Sequence, residues 1–194
     1  MAEKLADILK AQPVITTATD IRGRFAVDSW AASNGLIIDN MQTAKEISAA
    51  ILERDIPFFS QLPFIGSLPN GLYADDKGEI GIFTGWEKSD IFEKTLHLIS
   101  KNLYLGIGCR KGTSAAEIQT AVETVLQQYN IDKRAIQAAA SIDLKANEKG
   151  LLNFCRDYGL PITFYSAERL RFVPGNYAGS EFVKKITGVD NVCE

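Results

Sequence analysis

Three charged side chains, Asp143, Lys145 and Glu148, lie close together in the stretch "SIDLKANEKGLL". A small apolar run, Ala138–Ala140, precedes them and a leucine-rich amphipathic segment follows. The pattern therefore predicts a strand, a short strand-to-helix connection, which we call a crossing, and a helix. Ligands of open α/β sheets collect at the carboxyl ends of strands. An acid and a lysine placed there can act as a general base and as the electrostatic partner of a developing oxyanion.

The same stretch also fits a structural interpretation. Asn147 would then be the N-cap of the helix, Glu148 a first-turn acid that suits the helix dipole, and Lys145 a solvated charge. The spacing of the residues favours neither interpretation over the other.

A second polar crossing, "YLGIGCRKGTSAAE", has the spacing G-x-G-x-x-x-G, one residue longer than the dinucleotide-binding fingerprint. A strand should end near Gly106, and a helix should begin at a capping box formed by Ser114 and Glu117. Glycine backbone, a helix N-terminus and two cations favour an anion. We call residues 106–114 the glycine loop and expect it to bind an anion through Gly106, Gly108, Cys109, Arg110, Lys111, Gly112, Thr113 and Ser114. The alternative is a turn that only joins the strand to the helix.

Two further residues of reactive type are Cys109 and His97. Cys109 lies beside two cations and a helix start, which would favour a thiolate and a nucleophilic role, but a loop cysteine can equally serve packing alone. His97 alternates with leucines in "KTLHLIS", which indicates a partly buried structural histidine.

Hydroxyl groups and a carboxylate also follow the apolar run that begins "PVITTATD". Thr16, Thr17, Thr19 and Asp20 stand where ligand-facing groups stand at strand ends. The alternative is a strand edge followed by a turn through Arg22 and Gly23.

The composition is that of an ordinary globular protein, with 194 residues, 46% hydrophobic residues and a net charge of −3. These values give no reason to expect nucleic acid or a membrane as a partner. The N-terminus "MAEKLADILKAQP" predicts a short amphipathic helix rather than a signal peptide. Three widely spaced cysteines and one histidine argue against a disulfide framework and a zinc site, so we expect a cytoplasmic enzyme or binding protein.

Strand and helix patterns alternate along the chain. Helices are predicted over 40–55, 113–130, 147–159 and 180–188, and strands over 13–18, 56–62, 102–108, 135–143 and 160–166. Turn residues within 68–85 predict a hairpin. This order predicts an α/β fold of two small α/β domains, 1–95 and 96–194, the C-terminal one a largely parallel sheet flanked by helices. The charged stretch 85–94 is the expected boundary.

Several separate stretches together resemble one family, the cobalt-precorrin-5A hydrolases of anaerobic cobalamin biosynthesis. "PVITTATD" and "FAVDSWA" look like the end of its N-terminal region and the start of its middle region. "GIGCRKGTS", "SIDLKANEKGLL", "PITFYSAERL" and "GVDNVCE" look, in that order, like its C-terminal domain. That domain also occurs alone, as a protein of the aerobic cobalamin pathway.

The resemblance implies that a δ-lactone is opened on a cobalt-bearing tetrapyrrole and that a two-carbon fragment leaves as acetaldehyde. It implies Asp143 or Glu148 as the base, Lys145 as the electrostatic partner, and the glycine loop as a cradle for substrate carboxylates. Thr16, Thr17, Thr19, Asp20 and Asp28 would add substrate contacts. Cobalt arrives inside the macrocycle, so no cofactor or protein metal site is expected. The expected partners are the cobalt-precorrin substrate and neighbouring methyltransferases of the pathway.

Two other functions remain open. One is a non-catalytic tetrapyrrole-binding or carrier module, which would not need the segment 13–60. The other, on the glycine loop alone, is an unrelated nucleotide-binding α/β protein. Family members usually begin earlier, with a segment like S-G-H-x-G-G-A-N, and continue past Glu194, so we expect a chain truncated at both ends and inactive if that segment helps to form the site.

Overall fold

The computed structural model describes residues 8, 10, 23–63, 66–173 and 185. The predicted N-terminal helix, the strand over 13–18 with its polar residues, and the helix over 180–188 lie outside this part of the chain. The chain divides into two compact units. One comprises residues up to Gly85 together with Ser89–Ile99, and the other comprises Trp86–Lys88 and the residues from Ser100 onward.

Within the described residues, the first unit contains a five-stranded sheet and two helices. Its elements are α1 (Val27–Ser33), β1 (Leu36–Ile38), α2 (Met41–Ala50), β2 (Ile56–Ser60), β3 (Leu72–Ala74), β4 (Ile80–Gly85) and β5 (Lys94–Ser100). The strand order is β1-β5-β4-β2-β3. Asn40 caps α2 as predicted, because its side chain accepts hydrogen bonds from the amides of Gln42 and Thr43.

The predicted hairpin within 68–85 is wrong. Strands β3 and β4 both pair with β2 in parallel, on its two opposite sides. The connection passes close over β2, since a Cβ on Gly78 would lie 3.0 Å from the Pro57 side chain. The turn residues correctly indicated that the chain turns between β3 and β4. The residue types in such turns do not distinguish a hairpin from a short connection between parallel strands.

In the part of the second unit that the structure describes, three parallel strands form a sheet and each strand is followed by a helix. Its elements are β6 (Leu103–Gly106), α3 (Ala115–Gln128), a 3-10 turn (Lys133–Ala135), β7 (Ile136–Ile142), a 3-10 turn (Asp143–Lys145), α4 (Lys149–Asp157), β8 (Ile162–Tyr165) and α5 (Ala167–Arg171). The strand order is β6-β7-β8, and both pairings are parallel. The predicted α/β class and the parallel C-terminal sheet are confirmed.

The core of the second unit joins its two long helices to the central strand. Ile118 and Val122 of α3 and Leu151 and Phe154 of α4 are buried against Ala139 of β7. A small side chain on the central strand leaves room for the larger residues of both helices. The carboxyl-end loops of β6 and β7 are therefore supported by a packed core. Within the part of the chain that is described, no helix has the length and apolar character needed to cross a membrane.

Candidate functional site

The carboxyl ends of β6 and β7 bring the two polar crossings together. Parallel neighbouring strands end at the same edge of a sheet, so the glycine loop after β6 lies beside residues 143–148 after β7. Both crossings belong to the second unit. The contacts between them determine what this edge can bind.

Glu148 connects the two crossings. Its Oε2 accepts a hydrogen bond from the Gly112 amide at 3.0 Å, and its Oε1 lies 3.3 Å from Lys145 Nζ. The side chains of Lys145 and Glu148 are only 20% and 15% exposed. The structural interpretation of this stretch is thus wrong in two respects: Lys145 is not a solvated charge, and Glu148, not Asn147, occupies the N-cap position of α4.

These contacts fix the ionisation state of Glu148. The hydrogen bond from the Gly112 amide lowers the pKa of Glu148; burial opposes this effect, and the bond and charge of Lys145 reinforce it, with Lys111 adding a smaller effect. Glu148 is therefore ionised at neutral pH. Because its pKa is low and both oxygens have partners, it is a poor proton acceptor.

Two residues that sequence reasoning did not single out hold the glycine loop against β7 and α4. Ser141, which is 2% exposed, donates a hydrogen bond to the Ile107 carbonyl at 2.6 Å. Gly150 packs so closely on the loop that a Cβ there would lie 1.9 Å from the Thr113 carbonyl oxygen. Two signals in the sequence could have indicated them: a serine near the end of an apolar strand pattern, and a glycine in the first turn of an amphipathic helix pattern.

The end of the glycine loop forms the predicted capping box. The Ser114 side chain accepts from the Glu117 amide, and the Glu117 carboxylate accepts from the Ser114 amide at 2.9 Å. The Ser114 hydroxyl also lowers the pKa of Glu117 by donating a hydrogen bond to it. Carboxylates of the protein itself therefore already occupy the amides of Gly112 and Ser114.

The donors that remain for a ligand lie earlier in the loop. The amides of residues 108–111 and the side chains of Arg110 and Lys111 form no hydrogen bond or ion pair with the described residues. A turn follows these donors, in which the Thr113 amide donates a hydrogen bond to the Arg110 carbonyl at 3.3 Å. Gly112 lies in this turn with a φ of 80°, a backbone conformation that glycine adopts readily. Gly106 ends β6, Gly108 is exposed, and the Thr113 hydroxyl donates to the Arg110 carbonyl.

The thiolate expected at Cys109 is not formed at neutral pH. Burial raises the pKa of the Cys109 thiol, Lys145 lowers it, and Glu148 raises it. Cys109 is half-buried and packs against the core of the second unit. The charges of both members of the Lys145–Glu148 pair therefore influence the pKa of this thiol.

Asp143 lies where the argument from strand ends places it. It follows β7 directly, its side chain is exposed, and its carboxylate forms no hydrogen bond or ion pair with any residue that the structure describes. The next residue, Leu144, is 59% exposed. This end of β7 thus presents an open carboxylate and an apolar side chain to solvent.

The remaining predicted residues include one in the first unit and several that the structure does not describe. Asp28 lies in α1 of the first unit, where its Oδ1 accepts a hydrogen bond from the Ser29 amide at 2.8 Å. Thr16, Thr17, Thr19 and Asp20 lie outside the described residues. His97 is confirmed as partly buried, with Nε2 at 2.8 Å from the Ser89 carbonyl oxygen. Among the residues described, no group of three His, Cys, Asp or Glu side chains is suited to hold a metal ion.

Comparison with known proteins gives a consistent set of relatives. Residues 103–194 match the family described as "Cobalamin synthesis G C-terminus". The "Cobalt-precorrin-5A hydrolase" of Priestia megaterium is 28% identical over 214 residues, which cover 100% of this chain and 57% of that protein. The protein of the same name from Salmonella typhimurium is 28% identical over 213 residues, covering 97% of this chain and 58% of the relative.

A third relative matches a smaller part of the chain. "Protein CobE" from a Sinorhizobium species is 31% identical over 93 residues, which cover 47% of this chain and 60% of that protein. The chain therefore spans somewhat more than half the length of each of these relatives.

Proposed function

We propose that this chain, whose residues 103–194 match the cobalamin synthesis G C-terminus family, forms part of a cobalt-precorrin-5A hydrolase. The observation that carries the proposal is the similarity of the whole chain to two proteins of that name. A carrier built on the C-terminal domain would leave the first unit without a function. The matched first unit therefore favours the hydrolase over the carrier.

The second unit suits a substrate that carries many carboxylates. Arg110 and Lys111 are exposed beside the amides of residues 108–111, which have no partner in the described part of the chain. Hydrogen bonds from cationic groups to carboxylates are stronger than those between neutral groups. The acetate and propionate groups of a tetrapyrrole would bind at this part of the glycine loop.

The reaction we propose is addition of water to the lactone carbonyl, followed by cleavage of the C–O bond to leave a carboxylate and a hydroxyl. Asp143 accepts the proton of the attacking water, since its carboxylate is open to solvent at the strand end. Lys145 stabilises the negative charge that develops on the carbonyl oxygen. The hydroxyl formed by lactone opening then loses its proton and becomes the carbonyl of acetaldehyde, while the C–C bond to the macrocycle breaks and its electron pair stays on the ring. The cobalt ion belongs to the substrate, so the protein supplies no cofactor.

The setting of the reaction is part of the proposal. We place the protein in the cytoplasm, with a cobalt-precorrin tetrapyrrole as its substrate and with methyltransferases of the same pathway as neighbours. Co-purification of such a methyltransferase with the tagged chain would test that association.

The first experiment is anaerobic. The purified chain is mixed with cobalt-precorrin-5A, and acetaldehyde is measured against a protein-free control and against the Lys145→Ala variant. Release above both controls is the expected result. A shift in corrinoid absorbance without acetaldehyde would instead indicate a carrier. If neither signal appears, the hydrolase proposal is wrong.

A further inference from the structure

We propose that Glu148 is a positioning residue, which holds Lys145 and the glycine loop in one arrangement and does not itself take a proton from the attacking water. The reaction in question is that of the proposed function, on which this inference rests. The contacts on which the inference is based do not depend on the proposed function. One carboxylate connects a cation three residues before it to an amide 36 residues away in the sequence.

Each oxygen of the Glu148 carboxylate already accepts a hydrogen bond from the protein, and the side chain is largely buried, so little of it is open to a water molecule. Oε2 holds the Gly112 amide at 3.0 Å and Oε1 holds Lys145 at 3.3 Å, and the side chain is 15% exposed. A general base must reach the proton that it abstracts. Asp143, which is exposed and has no partner among the described residues, meets that condition, and Glu148 does not.

The position of Lys145 depends on this contact. Lysine has a long flexible side chain with three donors, and fixing it costs rotamer entropy. The ion pair with Glu148 uses one donor and leaves two for a ligand. A cation held in place before the charge develops stabilises an oxyanion without reorganising at the moment of reaction.

The glycine loop has other attachments, so Glu148 is not needed for folding alone. Ser141 holds the Ile107 carbonyl at the start of the loop, and Gly150 packs on Thr113 near its end. Between them, the Gly112 amide bonds to Glu148. Loss of this bond should loosen the middle of the loop, where Arg110 and Lys111 lie, while the two ends stay attached.

The first test measures hydrogen exchange of the Gly112 amide by NMR in the full chain. In Glu148→Ala the amide should exchange at least about fivefold faster, the ratio that one hydrogen bond of ordinary net strength provides. Glu148→Gln keeps an acceptor oxygen, so its exchange rate should stay near that of the wild type. Asp157→Asn, which removes an exposed charge from the same helix, is the matched control. Unchanged exchange in Glu148→Ala would refute the proposal.

The second test uses the Cys109 thiol to report the charges beside it. The pH dependence of its alkylation by iodoacetamide is followed by mass spectrometry of the peptide that contains it. The midpoint should move to lower pH in Glu148→Gln and to higher pH in Lys145→Ala, because the two charges act on this thiol in opposite directions. The plateau rate at high pH separately reports exposure. Unmoved midpoints would show that neither charge acts on the Cys109 thiol, which would contradict the proposed arrangement of the pair and the glycine loop.

The third test separates positioning from proton transfer. In a plot of kcat against pH, the decrease of kcat toward acid pH should persist in Glu148→Gln, with a lower kcat throughout. The same decrease should be absent in Asp143→Asn. Loss of this decrease in Glu148→Gln would identify Glu148 as the base and overturn the proposal. The first two tests require no substrate, so an inactive wild-type protein would reject the proposed function and leave these two results to decide the role of Glu148.

Discussion

Replacement of Gly150 by alanine separates the effect of helix propensity from the effect of tertiary packing, because the two have opposite signs. Alanine is a better helix former than glycine by about 1 kcal/mol, so propensity alone predicts stabilisation. In the folded protein, however, the added Cβ would lie 1.9 Å from the Thr113 carbonyl oxygen and 3.0 Å from the Ser114 carbonyl carbon. Both neighbours are backbone atoms, which cannot rotate away.

The size of the effect follows from that contact. Ordinary contact begins near 3.4 Å, so α4 and the glycine loop would have to separate by roughly 1.5 Å. Inserting a group into a packed site costs about 1–3 kcal/mol, and occasionally more. We therefore expect Gly150→Ala to lower the free energy of unfolding, which for a domain of this size corresponds to a fall in Tm of about 4–8 °C per kcal/mol.

Thermal unfolding followed by circular dichroism measures this change. Two control variants accompany it: Lys149→Ala, an exposed neighbour in the same helical turn, and Gly159→Ala, where an added Cβ meets nothing within 4 Å but φ is +67°. Lys149→Ala should leave Tm nearly unchanged, and Gly159→Ala should cost about 1–2 kcal/mol through backbone strain alone. A rise in Tm for Gly150→Ala would mean that helix and loop are not in close contact, and the described site would then be wrong.

Three further predictions concern the site and its support. Asp143→Asn and Lys145→Ala should each lower turnover by at least about tenfold without a loss of helical circular dichroism, and unchanged turnover would exclude the residue concerned from catalysis. Arg110→Ala should raise the Kd for the substrate with little effect on turnover, and an unaltered Kd in a corrinoid titration would argue against the carboxylate cradle. Burial raises the pKa of Asp132, but the hydrogen bonds and charge of Arg134 lower it by more than burial raises it, so its net pKa is below the ordinary value. Its contribution to stability is complete above the unfolded pKa of about 4 and is lost as pH falls through the folded pKa, so Asp132→Asn should flatten the acid side of a plot of Tm against pH.

The sequence predicted those features that depend on residues near one another in the chain. Asn40 and the Ser114–Glu117 pair cap their helices through bonds that span two or three residues, so their spacing alone indicates them. The alternation of strands and helices in the second half predicted a parallel sheet, because each helix is long enough to return the chain to the same edge. That topology in turn predicted that the carboxyl ends of β6 and β7 lie at the same edge of the sheet.

Only the tertiary structure showed which distant groups meet. The spacing of Asp143, Lys145 and Glu148 left the base undecided, and our proposal of Asp143 rests on the Gly112 amide, which bonds to Glu148 from 36 residues away in the sequence. The hairpin prediction failed because turn residues indicate only that the chain turns. They do not indicate that β3 pairs with β2, which precedes it in the chain, instead of with the strand that follows the turn. Gly150 looks unfavourable in a helix until the Thr113 carbonyl is seen beside it. Local sequence determines backbone propensity and capping, whereas partners far apart in the chain are selected by the packing of the whole unit.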